Sequence, residues 1–161
     1  VIVDDDHIFA STGYGDGGSA LLRITTSGVR EIKYYSAGEL QNHHGGMVLL
    51  AGHVYGGHGH NRGEPFCLDM KTGRITWKVN DNNIRKMGSA AVTCADGHLY
   101  FRYQNGMMKL VEANTRGYME KGSFQIPNDR KNSWQHPVVA GGKLYLRAQN
   151  ILYCYDIKSK G

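Results

Sequence analysis

Residues 137–157 read PVVAGGKLYLRAQNILYCYDI, and they contain the pattern from which the fold can be predicted. Two apolar runs flank the pair Gly141-Gly142, and a third run follows a short turn near Asn150. Apolar runs of this length on either side of a Gly-Gly pair are typical of antiparallel strands joined by a tight hairpin. The stretch therefore predicts consecutive, hairpin-connected strands.

The same hairpin pattern recurs along the chain. A turn followed by an aliphatic and an aromatic residue occurs at 6–9, 52–55, 97–100 and 142–145, with aliphatic positions separated by 46, 45 and 45 residues. A second landmark follows each of them, at 24–28, 68–73, 111–114 and 155–158. We therefore predict four repeats, at about 1–41, 42–86, 87–132 and 133–161.

Each repeat has room for four strands, a to d, and no segment shows a sustained 3.6-residue period. A four-stranded unit of about 45 residues is the size of one β-propeller blade, whereas a β-sandwich gives no reason for the repeat. The fourth repeat lacks room for its strand d. The prediction is an all-β fold: a single partial propeller over 1–161, with about three and a half four-stranded antiparallel blades and almost no helix. Either the rest of a propeller or a second copy would be needed to close the ring, because open sheet edges invite pairing.

The net charge of +5 raises the question of a nucleic-acid partner. The Lys and Arg residues are scattered, however, and their densest cluster is at Asp129-Arg130-Lys131. A nucleic-acid-binding domain concentrates its charge on one face, so we expect no nucleic-acid partner. No apolar run approaches the roughly 20 residues that span a bilayer, so we also expect no membrane span.

The segment 67–77, CLDMKTGRITW, resembles the repeat signature of the pyrroloquinoline-quinone (PQQ) propeller proteins, A-L-D-A-x-T-G-x-x-x-W. In that family the Trp packs between neighbouring blades and the Asp and Thr-Gly fix the c–d turn. The resemblance thus implies structural roles for Asp69, Thr72, Gly73 and Trp77. Other stretches, including 42–50, 54–73 and 137–147, are similar to the PQQ-like propellers abundant in planctomycetes, in their C-terminal half. Members of that bacterial family are usually exported, which implies a periplasmic or extracellular location.

Two departures limit what the resemblance implies. Only the second repeat keeps the whole signature; the first has Ile32 at the Trp position, and the third has no Trp. Quinoprotein dehydrogenases of this fold use a disulfide between adjacent cysteines, whereas Cys67, Cys94 and Cys154 are far apart. PQQ is therefore not supported by this chain, and the cofactor stays unknown. Since each cysteine lies in an apolar, strand-like run, we expect buried thiols, with one disulfide allowed.

Glycine and histidine are concentrated on one predicted face of the ring. In an up-and-down blade the b–c loops and d–a connections share a face, and 42–46, 56–63 and 134–137 all fall there. The b–c loops are long in repeats one and two and short in repeats three and four. The candidate ligand-binding residues on this face are His43, His44, His58, His60, Asn61, Arg62 and His136.

These histidines can be interpreted in more than one way. Imidazole is a common metal ligand, and His-x-His on an extended segment points both rings the same way, so any metal site would use His44, His58 and His60. Alternatively, the glycines permit tight loops, and the histidines form hydrogen bonds with the exposed backbone of those loops. His7, His53 and His98 recur at the a–b turn on the opposite face, and we expect them to be turn residues.

The sequence favours a non-catalytic propeller scaffold that binds a protein partner or a small ligand on the Gly/His-rich face. The alternative is a quinone- or metal-dependent oxidoreductase whose other site residues lie in further blades. A third alternative is structural support for a catalytic domain elsewhere in a longer chain. Fold alone does not decide among these, because propellers host many unrelated functions.

Overall fold

The computed structural model describes residues 1–127 and 132–158. The predicted charge cluster Asp129-Arg130-Lys131 and the end of the fourth predicted repeat, 159–161, lie outside the described residues.

The described chain forms four antiparallel sheets in which the strands follow one another in sequence order. We call them blades one to four. Blade one contains β1 (Ile2–Asp4), β2 (His7–Thr12), β3 (Gly18–Thr25) and β4 (Gly28–Tyr35). Blade two contains β5 (Asn42–Leu50), β6 (His53–His58), β7 (Glu64–Asp69) and β8 (Ile75–Lys78). Blade three contains β9 (Ala90–Ala95), β10 (His98–Tyr103), β11 (Met107–Glu112) and β12 (Glu120–Gln125). Blade four has three strands, β13 (Val138–Ala140), β14 (Lys143–Ala148) and β15 (Ile151–Asp156). The predicted all-β partial propeller is confirmed.

Helix is almost absent, as the sequence predicts. The described residues contain one short helix, α1 (Asn82–Arg85), between blades two and three. Asp81 caps it by accepting a hydrogen bond from the backbone N–H of Asn83. Among the described residues no helix is long and apolar enough to cross a membrane.

The a–b turns explain the recurring landmark in the sequence. Both residues of the two-residue turns Ala51-Gly52, Asp96-Gly97 and Gly141-Gly142 have positive φ, which is the type I′ geometry that matches strand twist. The Nδ1 atoms of His53 and His98 lie 3.0 and 2.8 Å from the carbonyl oxygens of Ala51 and Asp96. These two histidines therefore belong to their turns.

One cross-strand row recurs at the same register in every blade. In blade two, Tyr55 pairs with Val48 and Cys67, and Cys67 pairs with Trp77. The other three rows are Ile2–Phe9–Leu21–Lys33, Thr93–Tyr100–Leu110–Gly122 and Val138–Tyr145–Cys154. We call these the aromatic rows, because each has Phe or Tyr on its strand b.

A β-bulge between strands c and d accompanies the row in each four-stranded blade. The register shifts after Leu21, Cys67 and Leu110. This corrects the alignment predicted for Ile32: Lys33, not Ile32, lies opposite Leu21. The prediction places the Trp position four residues after the glycine of the c–d turn. This count fails in blade one because Gly28 is already paired with Thr25 in the β3–β4 ladder, whereas Gly73 lies in the turn before β8.

Apolar side chains pack together at each of the three interfaces between neighbouring blades. Phe9 and Leu21 of blade one pack with Val54, Phe66 and Leu68 of blade two. A second cluster joins blades two and three and includes Tyr55, Cys67, Leu99 and Phe101. A third joins blades three and four and includes Met108, Leu144 and Leu146. Trp77 lies at the interface of blades two and three, where its Nε1 donates a hydrogen bond to the carbonyl oxygen of Asn114 at 2.9 Å. Asp69 Oδ1 accepts hydrogen bonds from the backbone N–H groups of Lys71 and Thr72 in the c–d turn.

The three cysteines are all free thiols, and they differ in burial. Cys67 is buried and Cys94 is half-buried. The prediction of a buried thiol is wrong for Cys154, which is exposed. Its side chain belongs to the aromatic row of blade four, and no described residues pack over that face as blade three packs over Cys67.

Candidate functional site

Five aromatic and imidazole side chains from separate parts of the chain meet on the face that carries the b–c loops. Tyr14 comes from the β2–β3 connection, His43 and His44 from the start of β5, and His60 from the β6–β7 connection. Trp134 comes from the segment that leads into β13. We call Tyr14, His43, His44, His60 and Trp134 the histidine cluster.

His43 is at the centre of the cluster. Its ring centroid lies 4.0 Å from that of His44, 4.1 Å from that of His60 and 4.7 Å from that of Tyr14. Trp134 packs on the outer side of His44, with centroids 4.9 Å apart. The cluster is therefore one continuous group of rings.

Hydrogen bonds fix the orientation of these rings. The hydroxyl of Tyr14 lies 2.6 Å from Nε2 of His44. Nδ1 of His60 lies 2.7 Å from the carbonyl oxygen of Gly13 and must donate, because a carbonyl only accepts. When His60 is neutral, its lone pair is therefore on Nε2. Nδ1 of His43 pairs with the hydroxyl of Ser89 at 2.9 Å.

The other nitrogen of His43 is buried without a hydrogen-bond partner among the described residues. His43 is only 5% exposed, and burial lowers the pKa of its imidazole to about 4, with a further contribution from the charges of His44 and His60. The ring is therefore neutral at neutral pH. Tyr14 and Trp134, which are 58% and 42% exposed, lie at the edge of the cluster. The result is a buried polar atom beneath exposed aromatic surface.

Close backbone packing explains the glycines around the cluster. A Cβ on Gly13 would lie 2.6 Å from Cβ of His43, and a Cβ on Gly45 would clash with the carbonyl oxygen of Ala90. The β5–β6 register shifts between Asn42 and Met47, and His44 has a φ of 57°. Segment 42–46, predicted as a connection, is thus the irregular start of β5.

His58 and His60 do not act as a pair in the way that the extended His-x-His pattern predicts. His58 is the last residue of β6 and is buried, with Nδ1 accepting a hydrogen bond from the backbone N–H of Gln41 at 3.2 Å. Burial lowers its pKa to about 4, and the charges of Lys78, Arg62 and Arg85 lower it further. Gly59 has a φ of 94°, so the chain is not extended between the two histidines. His60 instead joins the histidine cluster.

The remaining predicted residues lie around the cluster. Asn61, with a φ of 52°, and Arg62 are exposed in the β6–β7 connection, where the side chain of Arg62 packs over Gly59. His136 donates from Nδ1 to the carbonyl oxygen of Val92 at 3.2 Å, and its ring lies against Gly46.

Sequence reasoning did not select Tyr14, Ser89 or Trp134. Tyr14 is the one aromatic residue in the glycine-rich segment 13–18, and that was an available signal. Trp134 is two residues before the selected His136. Nothing in the local sequence distinguishes Ser89, because its role depends on contact with a histidine 46 positions away.

Neither a metal site nor a PQQ site can be assigned from this geometry. Within 1–127 and 132–158, no group of three or more His, Cys, Asp and Glu side chains is placed to hold a metal ion. The free thiols of Cys67, Cys94 and Cys154 belong to three different blades, so they do not form the adjacent-cysteine disulfide that the PQQ dehydrogenases place over their cofactor. The residues present do not fit PQQ.

No protein-family model matches the sequence, and no curated protein does either. Solved structures do match. BamB from Moraxella catarrhalis is 16% identical, with a TM-score of 0.69 over 95% of this chain and 42% of its own. The computationally designed Ika4 protein is 10% identical, with a TM-score of 0.66 over 97% of this chain and 88% of its own. A europium-containing methanol dehydrogenase is 19% identical, with a TM-score of 0.54 over 76% of this chain and 24% of its own.

These similarities concern the fold. They support a PQQ-like β-propeller, as the repeat signature implies. The chain spans 42% of the length of BamB, which is less than half. At these identities, activity and partners do not follow from the likeness.

Proposed function

We propose that this protein is a non-catalytic β-propeller scaffold that binds a small ligand or a protein partner at the histidine cluster. The observation that carries the proposal is the buried Nε2 of His43, which has no partner among the described residues. A buried polar atom without a hydrogen bond costs about 1–3 kcal/mol, so a ligand group that bonds it would gain affinity there. The exposed rings of Tyr14 and Trp134 supply apolar contact area beside it.

The properties of His43 favour binding over catalysis. A general base works best when its pKa is near the operating pH, and the pKa of His43 is lowered to about 4. The hydrogen bonds of His60 to Gly13 and of His43 to Ser89 hold the rings in place. Such fixed rings suit recognition, because little side-chain entropy is lost when a ligand binds.

The rival hypothesis is the quinone- or metal-dependent oxidoreductase, with the remaining site residues in other blades. One equivalent of transition metal in the purified full-length protein, lost on His60→Ala, or a quinone absorption band would support it. The scaffold proposal requires binding that is independent of both.

We propose a periplasmic or extracellular location, which rests on the family resemblance. We also propose that further propeller blades, from the rest of a longer chain or from a second copy, cover the outer faces of blades one and four. Exposed apolar residues on the strands of those two blades, including Val3, Tyr34, Val138 and Leu152, support this part of the proposal.

Site-specific photo-crosslinking tests the binding proposal. Benzoylphenylalanine would replace Tyr14 or Trp134, with Met119 as the matched control because it is as exposed as Trp134 and lies in the β11–β12 connection, outside the histidine cluster. In extract from the source organism we expect a discrete crosslinked product from positions 14 and 134. The product should be lost when His43→Phe removes the polar nitrogen but keeps a ring. Equal labelling at all three positions, or labelling that His43→Phe does not change, would overturn the proposal.

A further inference from the structure

Trp77 fills a defined space between blades two and three. It lies opposite Cys67 in the aromatic row, and its ring centroid lies 6.1 Å from that of Tyr55 and 6.3 Å from that of Tyr118. Its Nε1 donates to the carbonyl oxygen of Asn114 in the next blade. An indole with one N–H donor therefore belongs to the packing of this interface.

Gly122 occupies the corresponding position in blade three. It lies opposite Leu110, which itself pairs with Tyr100, as Trp77 lies opposite Cys67 and Cys67 pairs with Tyr55. The bulge follows Leu110 as it follows Cys67, so the two registers agree. A Cβ on Gly122 would meet no atom within 4 Å. The position of the signature indole is empty in this blade.

A cavity of about 260 Å³ lies there, between blades three and four. Its apolar lining consists of Tyr100, Met108, Leu110, Phe124, Leu144 and Ile157. Phe124 is 38% exposed, so the cavity is reachable from solvent. An apolar cavity of about 150 Å³ is enough to bind benzene, so this one has room for a larger ring system.

The hydrogen-bond acceptor of the Trp77 site has a counterpart as well. In blade three the backbone N–H of Ala113 donates to the carbonyl oxygen of the turn residue Gly97. In blade four the backbone N–H of Ile157 makes the equivalent bond to the carbonyl oxygen of Gly142. The residue after Ala113 is Asn114, whose carbonyl accepts from Trp77, and the residue after Ile157 is Lys158. The carbonyl of Lys158 thus corresponds to that of Asn114.

We propose that the cavity at Gly122 is a second ligand site, which takes a planar aromatic molecule of indole size with one N–H donor. The ring takes the space that Trp77 fills one blade earlier, and its N–H donates to the carbonyl oxygen of Lys158. This site is separate from the histidine cluster and does not depend on the function proposed there.

Indole itself is the probe. Ligand-observed NMR and thermal unfolding of the full chain should show one site with a Kd on the order of 1 mM or tighter, as expected for so small a ligand. Gly122→Trp should abolish indole binding and raise the unfolding midpoint, because the chain then supplies its own indole. Gln125→Trp is the matched control: it adds the same side chain to the same strand, at an exposed position that does not line the cavity, and should leave indole binding unchanged.

Two results would overturn the proposal. One is no binding of indole by the unmodified protein; the other is binding that survives Gly122→Trp. If the Trp variant does not fold, Gly122→Leu fills less of the cavity and should weaken indole binding about tenfold or more; unchanged affinity in that variant would also overturn the proposal.

Discussion

Cys67 and Cys154 occupy the same position in the aromatic rows of blades two and four, opposite Tyr55 and Tyr145, but Cys67 is buried and Cys154 is exposed. The difference comes from the neighbouring blade. Leu99 and Phe101 of blade three belong to the apolar cluster that covers Cys67. The corresponding face of blade four has no such cover from the described residues.

When no further blade or second copy covers the outer face of blade four, Cys154 should react with alkylating reagents at least ten times faster than Cys67. Burial also raises the pKa of the Cys67 thiol, which lowers its thiolate fraction further. Timed labelling with iodoacetamide, followed by peptide mass spectrometry, measures the two rates in one sample. Equal rates would contradict the burial of Cys67. Protection of Cys154 that grows with protein concentration would show that a second copy covers this face.

Trp77→Ala should lower the free energy of unfolding by about 2–4 kcal/mol, because it removes a large side chain from a blade interface. Trp77→Phe should cost less, since it keeps most of the packing and loses mainly the hydrogen bond to Asn114. Trp134→Ala is the control, because Trp134 is an exposed tryptophan. Urea denaturation measures all three. A larger loss for Trp134→Ala than for Trp77→Ala would contradict the assigned packing.

The protein should lose stability between pH 7 and pH 5 because of His43 and His58. The pKa of each is lowered to about 4, against about 6.5 for an unfolded histidine. In this window the unfolded state takes up protons that the folded state does not, so stability falls as the pH falls. Each histidine should account for about 2 kcal/mol of that loss.

The variants His43→Gln and His58→Gln check this by flattening the pH dependence of the urea midpoint. His53→Gln, which removes a histidine at an a–b turn, is the control for both substitutions. A pH dependence that is the same in all three variants would show that neither buried histidine carries the effect.

Asp69→Ala should destabilise the protein by about 1–2 kcal/mol, because Oδ1 accepts from the backbone N–H groups of both Lys71 and Thr72. Asp69→Asn keeps an acceptor oxygen at the same place and should recover most of the stability. The midpoint of thermal unfolding distinguishes the two. If both variants lose the same stability, charge rather than hydrogen bonding would be what the turn requires.

The sequence was sufficient for the fold because two short-range signals repeat. A type I′ turn such as Ala51-Gly52 leaves a local signature, and spacing near 45 residues identifies the blade. The register of strand d was harder to predict. Ile32 was aligned with Trp77 by counting from a glycine, but Gly28 is paired inside a ladder and Gly73 lies in a turn.

The histidine cluster could be predicted only in part. The face was identifiable from the placement of His43, His44 and His60 in loop-rich segments. The relation between His58 and His60 was not, because the positive φ of Gly59 changes the direction of the chain between them. Contacts such as His43 with Ser89 and His44 with Trp134 join residues far apart in sequence. No local pattern predicts such pairs.

Each of the three apolar clusters is confined to one interface. Blade two takes part in two of them, because the neighbouring residues Val54 and Tyr55 of β6 point to opposite faces of its sheet. The stability of the fold therefore depends on interactions between adjacent blades, as in a linear array of repeats. A defect at one interface weakens the two blades that share it and reaches more distant ones only through them. Among the described residues, blades one and four are each coupled on a single side, so each should open more readily than blades two and three.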